Sequence, residues 1–491
     1  MKKTTSAQTA GYCFEKPGLV PSPAKARWAL ETCVELGPGL KVRLSCAEDF
    51  PAAADWLKRH LRDAFGFDCR IARGASAKTG EMAPEAYSLK ARPAALEIAA
   101  HGVAGVRLAF FTLRQMAMPK RGTLKTEGWI VPGAEIEDAP AMAFRGMHLC
   151  WFPETQPLLI ERALRLAASY KFNHVVIETW GTFRSERHPW WGWPDGSMTK
   201  AELVRLRRIA ADLGVTLVPQ MNIFGHASMS RSKSGKHAAL DLHPEYQPLF
   251  EPHHGWNWCL SNPAAHKVID ELVAEIHEAF GNPPFFHIGC DEADAPSCPA
   301  CRARDYVKLI GDNIREVSAL LEKRGARPMM WHDMLLKKGE WGRFYANAAH
   351  GEEKLLRRLP KQTVICDWFY NEGVAPEGYP TFAHFKCAGF DVVTSPWESW
   401  DGTAAQGKAA RDLGLFGLLG TTWHHLYKME MQRQFVACAC AAWGDGEVDS
   451  RNFTDHWRQT GWDAGVADYA DCGVVAEQNP SVTNPEIYPR G

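Results

Sequence analysis

Two adjacent carboxylates, Asp291 and Glu292, follow a short apolar run and are well placed to do chemistry. A run of this kind that ends in acids indicates a buried strand delivering charge to the rim of a sheet, because unpaired carboxylates are costly to bury. In a β/α barrel that rim is the carboxyl end of a strand, where substrates bind. A helix N-cap is the alternative for an Asp-Glu pair, but the preceding His287 and Gly289 favour a functional site.

Tryptophans, acids and histidines recur at the ends of other predicted strands and indicate a polar, aromatic cup. Barrel cores favour Val, Ile and Leu, so indoles at strand ends favour a pocket wall, with capping of the core as the alternative for any one of them. Indole rings also stack on the apolar faces of sugars. The tryptophans are Trp151, Trp180, Trp331, Trp368, Trp397 and Trp423. The acids and histidines are Glu178, Asp333, Asp367, Glu398, His226, His332, His424 and His425.

A cup of carboxylates and indoles predicts glycoside hydrolysis. Most glycosidases use two separated carboxylates, one as acid and one as nucleophile or base. Here the best pair is adjacent in sequence, which fits substrate-assisted catalysis. In that mechanism the 2-acetamido oxygen of the sugar attacks the anomeric carbon. One carboxylic acid protonates the leaving oxygen, while a second carboxylate holds the acetamido N–H and stabilises the oxazolinium charge.

The bulk composition excludes several classes of partner. The 491 residues include 56 basic and 57 acidic side chains, for a net charge of −1. This balance predicts neither nucleic-acid binding nor attraction to an anionic membrane. The sequence has no stretch of about 18 uncharged apolar residues, so no membrane span is predicted. No apolar signal-peptide segment follows Met1, and we therefore expect a cytoplasmic location.

The 14 cysteines are scattered singly, which predicts free thiols in a reducing compartment. Cys298 and Cys301 form the one Cys-x-x-Cys pair of the sequence. A structural zinc site needs four ligands and usually two such pairs, so free thiols are favoured over a metal here. We therefore expect no metal and no cofactor.

The elements that must position the cup change in character near residue 141. Residues 1–140 predict a smaller α+β domain, with strands at 40–44 and 94–98 and helices at 52–65 and 106–116. The stretch 133–140 is predicted to be a connection that ends at a proline. Residues 446–491 are predicted to be a polar C-terminal extension.

From residue 141 to 445, strand-like and helical runs alternate. This alternation is typical of βα units, and eight of them predict a (β/α)8 TIM barrel. The predicted strands cover 144–151, 174–180, 216–221, 285–289, 328–331, 364–368, 391–394 and 415–422.

The segment from His287 to Glu292, His-Ile-Gly-Cys-Asp-Glu, resembles the His-x-Gly-(Gly/Ala/Cys)-Asp-Glu signature of family-20 glycoside hydrolases, the β-N-acetylhexosaminidases. The cysteine form, with the later Cys-x-x-Cys, is most similar to the hexosaminidase D branch. The resemblance extends over about residues 30–440. Stretches that resemble the family's non-catalytic domain and its junction to the barrel are 85–89, 96–98, 112–115, 136–140 and 144–146.

This resemblance implies an exo-acting, retaining enzyme for oligosaccharides or glycoconjugates with a terminal N-acetylhexosamine. It implies that Glu292 is the general acid/base, that Asp291 orients the acetamido group and that His287 supports the pair from its strand. The loop 219–226 resembles the family's Pro-Glu-(Ile/Met)-Asp-x-Pro-Gly-His loop and implies a place for His226 near the site. The remaining substrate-binding residues implied are Trp331, Trp368, Trp397 and Trp423. Two further candidates are Glu178, from the strand-end pattern, and Tyr370, as a replacement for a tyrosine that the family has after strand seven.

The chain departs from the family pattern at several sugar-contacting positions. His148 and its neighbours stand where many members have an arginine, and Gln220 and Asn222 replace two acids. Two alternatives therefore stay open. One is a glycosidase for another sugar, with Asp291 or Glu398 as an ordinary nucleophile, and the other is an inactive carbohydrate-binding barrel.

Overall fold

The computed structural model describes most of the chain. The chain forms two compact units. The predicted extension at 446–491, together with Trp180, His424 and His425, lies outside the described residues. The described residues are 14, 16–74, 79–121, 126–153, 155–179, 181–193, 198–228, 239–252, 255–345, 351–370, 373–375, 377–423, 426 and 429–444.

The first unit comprises the described residues up to Ala141, with Ser169–Lys171 and residues 443–444. It is built on a mixed sheet with strand order β1-β7-β4-β5-β2-β3, and β6 also pairs with β7. Helices α1 and α2 pack on β2, β4 and β5 of this sheet. The elements are β1 (Lys25–Leu36), β2 (Lys41–Cys46), α1 (Phe50–Phe65), β3 (Ile71–Arg73), β4 (Tyr87–Arg92), β5 (Ala95–Ala100), α2 (Val103–Met116), β6 (Met118–Arg121) and β7 (Thr126–Asp138).

The prediction of a connection at 133–140 is wrong, because β7 runs through most of this stretch and pairs with both β1 and β4. The pair Pro132 and Gly133 is typical of a turn, which explains the error. Proline is tolerated here because it lies opposite Cys33, where the register of β1 shifts. Glycine is required beside it, since a Cβ at Gly133 would lie 2.1 Å from Oγ1 of Thr32.

The second unit comprises the described residues of 142–168 and 172–442 and contains a closed, all-parallel barrel. Its strands neighbour one another in chain order, and the last pairs with the first. This confirms the predicted eight-stranded barrel preceded by a smaller domain. The strands are β8 (Phe144–Cys150), β9 (His174–Glu178), β10 (Thr216–Gln220), β11 (Phe285–His287), β12 (Arg327–Trp331), β13 (Val364–Tyr370), β14 (Asp391–Trp397) and β15 (Gly417–Gly420).

The helices of the barrel unit carry the local signals expected at helix ends. Thr199 caps α4 by accepting the N–H of Glu202, and Gly214 ends that helix with φ +80°. Asn262 caps α6 in the same way, with a proline in the first turn. The helices are α3 (Pro157–Ser169), α4 (Lys200–Leu213), α5 (Ala239–Leu242), α6 (Pro263–Ala279), α7 (Pro299–Arg302), α8 (Tyr306–Lys323), α9 (Glu353–Leu356), α10 (Pro380–Cys387), α11 (Trp400–Asp412) and α12 (Met429–Trp443).

The barrel is filled by side chains from all eight strands, and this core stops where the strands end. Trp331 belongs to the core, while Trp368 and Trp423 pack on it and stay partly exposed. The carboxyl ends of the strands therefore carry a second layer of side chains above a solid floor. The buried core residues are Phe144, Val176, Val218, Phe285, Met329, Trp331, Val364, Cys366, Val393 and Leu419.

Closure of the barrel depends on a glycine in its last strand. Gly417 lies opposite Phe144 of the first barrel strand, and a Cβ there would lie 2.0 Å from the Phe144 carbonyl oxygen. We predict that Gly417→Ala lowers the free energy of unfolding by about 1–3 kcal/mol, since backbone must move to admit the methyl group. Urea unfolding of the full chain measures this change.

Gly80→Ala is the matched control, because a Cβ at Gly80 meets no heavy atom within 4 Å. We expect the control to change the free energy of unfolding by less than about 0.5 kcal/mol. Equal effects of the two substitutions would contradict the proposed role of Gly417.

Candidate active site

The chain leaves β11 at His287 and turns sharply to deliver the two acids. Gly289, Cys290 and Glu292 all have left-handed backbones, with φ of +65°, +72° and +47°. Such conformations cost about 1–3 kcal/mol at non-glycine positions and concentrate at functional sites. A Cβ at Gly289 would lie 1.6 Å from Oδ1 of Asn222, so glycine is required for the close approach of these two loops.

One histidine contacts both acids. His226 Nε2 lies 3.2 Å from Asp291 Oδ2 and 3.4 Å from Glu292 Oε2. The side chain of Asp291 is 9% exposed, whereas that of Glu292 is 32% exposed. The two adjacent carboxylates therefore have different environments, one enclosed by protein and one open to the cup.

A tryptophan from the same loop as His226 fixes the backbone of Glu292. Trp256 packs against the ring of His226 with a centroid distance of 4.0 Å. Its Nε1–H donates to the carbonyl oxygen of Glu292 over 2.7 Å. Sequence reasoning missed this residue, because Trp256 lies 30 residues after His226 and no local pattern connects the two.

A third carboxyl group, Asp333, lies behind the pair and is fully buried. Its Oδ2 accepts the backbone N–H of Glu292 over 2.8 Å, and its Oδ1 accepts the indole N–H of Trp368 over 3.4 Å. Burial, followed by the charge of Asp291, raises the pKa of Asp333 well above its ordinary value. Sequence reasoning placed Asp333 at a strand end but gave it no role.

The tryptophan held by Asp333 is also held by a buried histidine. Backbone N–H of Trp368 donates to His332 Nδ1 over 3.1 Å, so the ring hydrogen of His332 is on Nε2, which lies 3.5 Å from Asp367 Oδ1. Burial lowers the pKa of His332, which favours this neutral ring. The polar residues under the cup thus fix the position of a partly exposed aromatic ring.

Four aromatic side chains form a continuous wall beside the acids. Trp368 stacks on Tyr370 with centroids 4.6 Å apart, and Trp397 meets Tyr370 edge-on at 5.3 Å. Trp423 Nε1–H donates to Tyr370 Oη over 3.3 Å. One aromatic surface is therefore built from residues that lie in, or just after, three of the eight barrel strands.

Two of the predicted substrate-binding residues lie deeper than this wall. Trp331 is 1% exposed and His287 is fully buried, and their rings are 4.3 Å apart. His287 Nδ1 accepts the backbone N–H of Gly289 over 3.1 Å, which ties the strand to the turn that follows it. Trp331 in turn meets Trp423 at 6.1 Å. These two residues form the floor of the cup.

Glu178 lies in a separate buried polar group next to that floor. His148 Nε2 is 3.3 Å from Glu178 Oε2, and Asn222 Nδ2–H donates to Glu178 Oε1 over 3.3 Å. The ring of His148 lies 4.7 Å from that of Trp423. His148 and Asn222 therefore meet around one carboxylate.

Of the other strand-end residues singled out by sequence, Trp151 is structural. It is fully buried, and its indole N–H donates to the carbonyl oxygen of Thr155 over 3.1 Å. The structure thus brings together Asp291, Glu292, His226 and the aromatic wall, whereas Trp151 is part of the buried packing.

A parallel barrel with paired carboxylates and an aromatic wall at its carboxyl end defines a glycoside hydrolase of the TIM-barrel class. The chain belongs to glycosyl hydrolase family 20. The sequence model of that family's catalytic domain matches residues 154–445, and the model of its domain 2 matches residues 16–139.

Individual relatives agree with this assignment. The β-hexosaminidase of Vibrio furnissii is 25% identical over 481 residues, which cover 84% of this chain and 70% of that protein. The exo-β-N-acetylglucosaminidase of Vibrio harveyi, solved with N-acetylglucosamine, has a similar fold, with a TM-score of 0.66 and 18% identity over 92% of this chain and 77% of that one. The chitobiase of Flavobacterium johnsoniae gives a TM-score of 0.68 and 18% identity over 94% of this chain and 74% of that one.

Among the described residues, none of the helices is long and apolar enough to cross a membrane.

The raised pKa of Asp333 predicts a pH-dependent stability. Because the folded-state pKa lies above the unfolded value, the stabilisation by its proton is complete below about pH 4 and is lost as the pH rises through the folded pKa. Asp333→Asn cannot titrate but keeps an oxygen to accept the Glu292 N–H. We therefore expect the Tm of the wild type to fall relative to that of the variant between about pH 5 and about pH 8.

Thermal unfolding of both proteins across this range measures the difference. A Tm difference that stays constant with pH would show that Asp333 does not titrate with the expected shift.

Proposed function

We propose that this chain is an exo-acting, retaining β-N-acetylhexosaminidase that releases terminal β-linked GlcNAc or GalNAc by substrate-assisted catalysis. The observation that carries the proposal is the pair Asp291 and Glu292 at the end of β11, contacted by one histidine and faced by an aromatic wall. Membership of family 20 and the names of its relatives support the same reaction.

In this proposal the two acids have separate tasks that follow from their surroundings. Glu292, the more exposed, donates a proton to the leaving oxygen and later removes one from water. Asp291, enclosed by protein, accepts the acetamido N–H and stabilises the positive charge of the oxazolinium ring. Charge stabilisation is stronger where water is excluded, so burial suits Asp291 to this task. His226 holds both carboxylates in place.

The aromatic wall is proposed to bind the sugar ring and to position its acetamido group. Tyr370 Oη accepts the indole N–H of Trp423, and its own O–H is proposed to donate to the acetamido oxygen. Burial, with a contribution from the charges of Asp291 and Glu292, raises the pKa of Tyr370 and keeps that hydrogen in place. Trp368 and Trp397 complete the wall.

Glu178 is proposed to bind sugar hydroxyl groups in place of the arginine that many family members have. Its carboxylate is already oriented by His148 and Asn222, and that group lies next to Trp423. Trp331 and His287 support the site from the floor.

Further assignments are proposed on the sequence and the cysteines. We propose that residues 1–140 form the non-catalytic domain, 141–445 the catalytic barrel and 446–491 an extension. The cysteine in the signature, Cys290, and the later Cys298-x-x-Cys301 support placement in the hexosaminidase D branch. Twelve cysteines among the described residues form no disulfide, which supports a reducing compartment such as the cytoplasm.

Glu292→Gln tests the role of the general acid. On chromogenic β-GlcNAc and β-GalNAc substrates we expect turnover by the wild type. The variant should lose about two to four orders of magnitude on a poor leaving group, and much less on an activated phenol, which leaves with little protonation. Steady-state rates on the two kinds of substrate measure the contrast.

Glu398→Gln is the matched control, because Glu398 is also a strand-end glutamate with a left-handed backbone, φ +58°. Equal losses for Glu292→Gln on both leaving groups would exclude Glu292 as the acid. A larger loss for Glu398→Gln would favour a protein nucleophile at that position. No turnover of either sugar by the wild type would favour an inactive binding barrel.

Asp291→Asn tests substrate assistance, since it keeps the size of the side chain and removes the charge. We expect kcat to fall by about two to three orders of magnitude, because the interaction strengthens as charge develops. The complementary change is in the substrate, where fluorination of the acetamide weakens the internal nucleophile. The wild-type rate should fall steeply with fluorine count.

A rate that does not respond to fluorination would identify a protein carboxylate as the nucleophile, and a glycosidase for another sugar would then be the better assignment. Inhibition by an acetamido-thiazoline analogue of the oxazoline is the independent measurement.

A further inference from the structure

Three cysteines and a glutamate meet outside the catalytic cup. Cys259, Cys298, Cys301 and Glu251 each place one potential ligand atom within 4.8 Å of all the others. Glu251, Cys259 and Cys301 are buried, and Cys298 is partly exposed. Glu251 and Cys259 come from the segment between β10 and α6, whereas Cys298 and Cys301 follow the catalytic pair. The group therefore joins two segments that are distant in sequence.

The spacing of the sulfur atoms fits tetrahedral metal coordination. Cys259 Sγ lies 3.7 Å from Cys298 Sγ and 3.8 Å from Cys301 Sγ. Four ligands arranged tetrahedrally with Zn–S bonds of about 2.3 Å place their sulfur atoms about 3.8 Å apart. A disulfide would require about 2.0 Å. Cys259 is thus too far from the other two thiols to be bonded to either, and it lies from both at the separation that a shared zinc ion imposes.

Hydrogen bonds from neighbouring groups orient two of the four side chains, Glu251 and Cys298. Glu251 Oε2 accepts the backbone N–H of Ser297 over 2.8 Å, the Ser297 hydroxyl over 3.1 Å and the backbone N–H of Cys298 over 2.6 Å. Backbone N–H of Cys301 donates to Cys298 Sγ over 3.2 Å. Hydrogen bonds to ligand atoms of this kind orient metal ligands and stabilise their negative charge. These N–H and O–H groups are therefore placed to stabilise a negatively charged carboxylate on Glu251 and a thiolate on Cys298.

We propose that Cys259, Cys298, Cys301 and Glu251 bind a structural zinc ion. A four-coordinate, sulfur-rich and largely buried set of ligands is typical of structural zinc, and protein ligands would fill all four positions. The sequence predicted free thiols because Cys298-x-x-Cys301 had no second pair. The third thiol comes instead from Cys259, 39 residues before Cys298.

This zinc ion would connect the two segments that hold Glu292. Asn257 Nδ2–H donates to the carbonyl oxygen of Asp294 over 2.8 Å, and backbone N–H of Asp294 donates back to Asn257 Oδ1 over 3.2 Å. Trp256 bonds the carbonyl of Glu292 from the same segment. The ion would join the same two segments beyond these hydrogen bonds, and it would hold the loop that follows the catalytic pair in place.

Metal analysis of the full-length wild type, purified under reducing conditions from zinc-containing medium, tests the proposal. We expect about one zinc ion per chain. Cys259→Ser and Cys301→Ser should each lose most of that zinc and lower the Tm. Cys387→Ser is the matched control, because Cys387 is an exposed cysteine outside the group, and it should keep the zinc and the wild-type Tm.

Spectroscopy tests the ligand set without relying on the cysteine variants. Wild type loaded with Co²⁺ should develop the intense visible bands of tetrahedral thiolate coordination, and Glu251→Gln should shift them. Wild type that contains no zinc and takes up neither zinc nor cobalt would overturn the proposal. A disulfide among the three cysteines, found by mass spectrometry, or bound iron would also overturn it. Bands that are unchanged in Glu251→Gln would remove Glu251 from the ligand set.

Discussion

The structure depends on keeping three carboxyl groups together at one end of the barrel. Burial raises the pKa of Asp333, and the nearby charges of Asp291 and Glu292 raise it further. The repulsion is accommodated by His226 between two of them and by backbone and indole N–H groups on the third. Such an arrangement is costly unless its members are held rigidly, and the surrounding elements supply that rigidity.

The backbone meets this requirement through close contacts that only glycine permits. Gly289 lies against Asn222, and a Cβ at Gly225 would lie 2.3 Å from the carbonyl oxygen of Asp291. These contacts bring the loops after β10 and β11 together, which places His226 against the acids. The same loops carry Trp256 and the cysteine–glutamate group, so the position of Glu292 is supported from both its strand and the outer loops.

Above the filled core, buried residues support the site from below and partly exposed residues form its surface. Trp331 and His287 are buried in the floor, while the aromatic wall is partly exposed and is fixed from beneath by His332 and Asp333. His148 contacts Glu178, so this polar group is separate from the residues that hold Asp291 and Glu292.

The sequence by itself determined the alternation of strands and helices and the Asp-Glu pair at the end of β11, because periodicity and local turn chemistry are written in neighbouring residues. The prediction of a connection at 133–140 was wrong. Pro132 and Gly133 are typical of a turn, but pairing with β1 on one side and β4 on the other makes this stretch a strand. Only the tertiary structure placed Trp256 on Glu292 and Cys259 beside Cys298, 39 residues away. Such contacts depend on how loops pack on a closed barrel, and no local pattern in the chain encodes that packing.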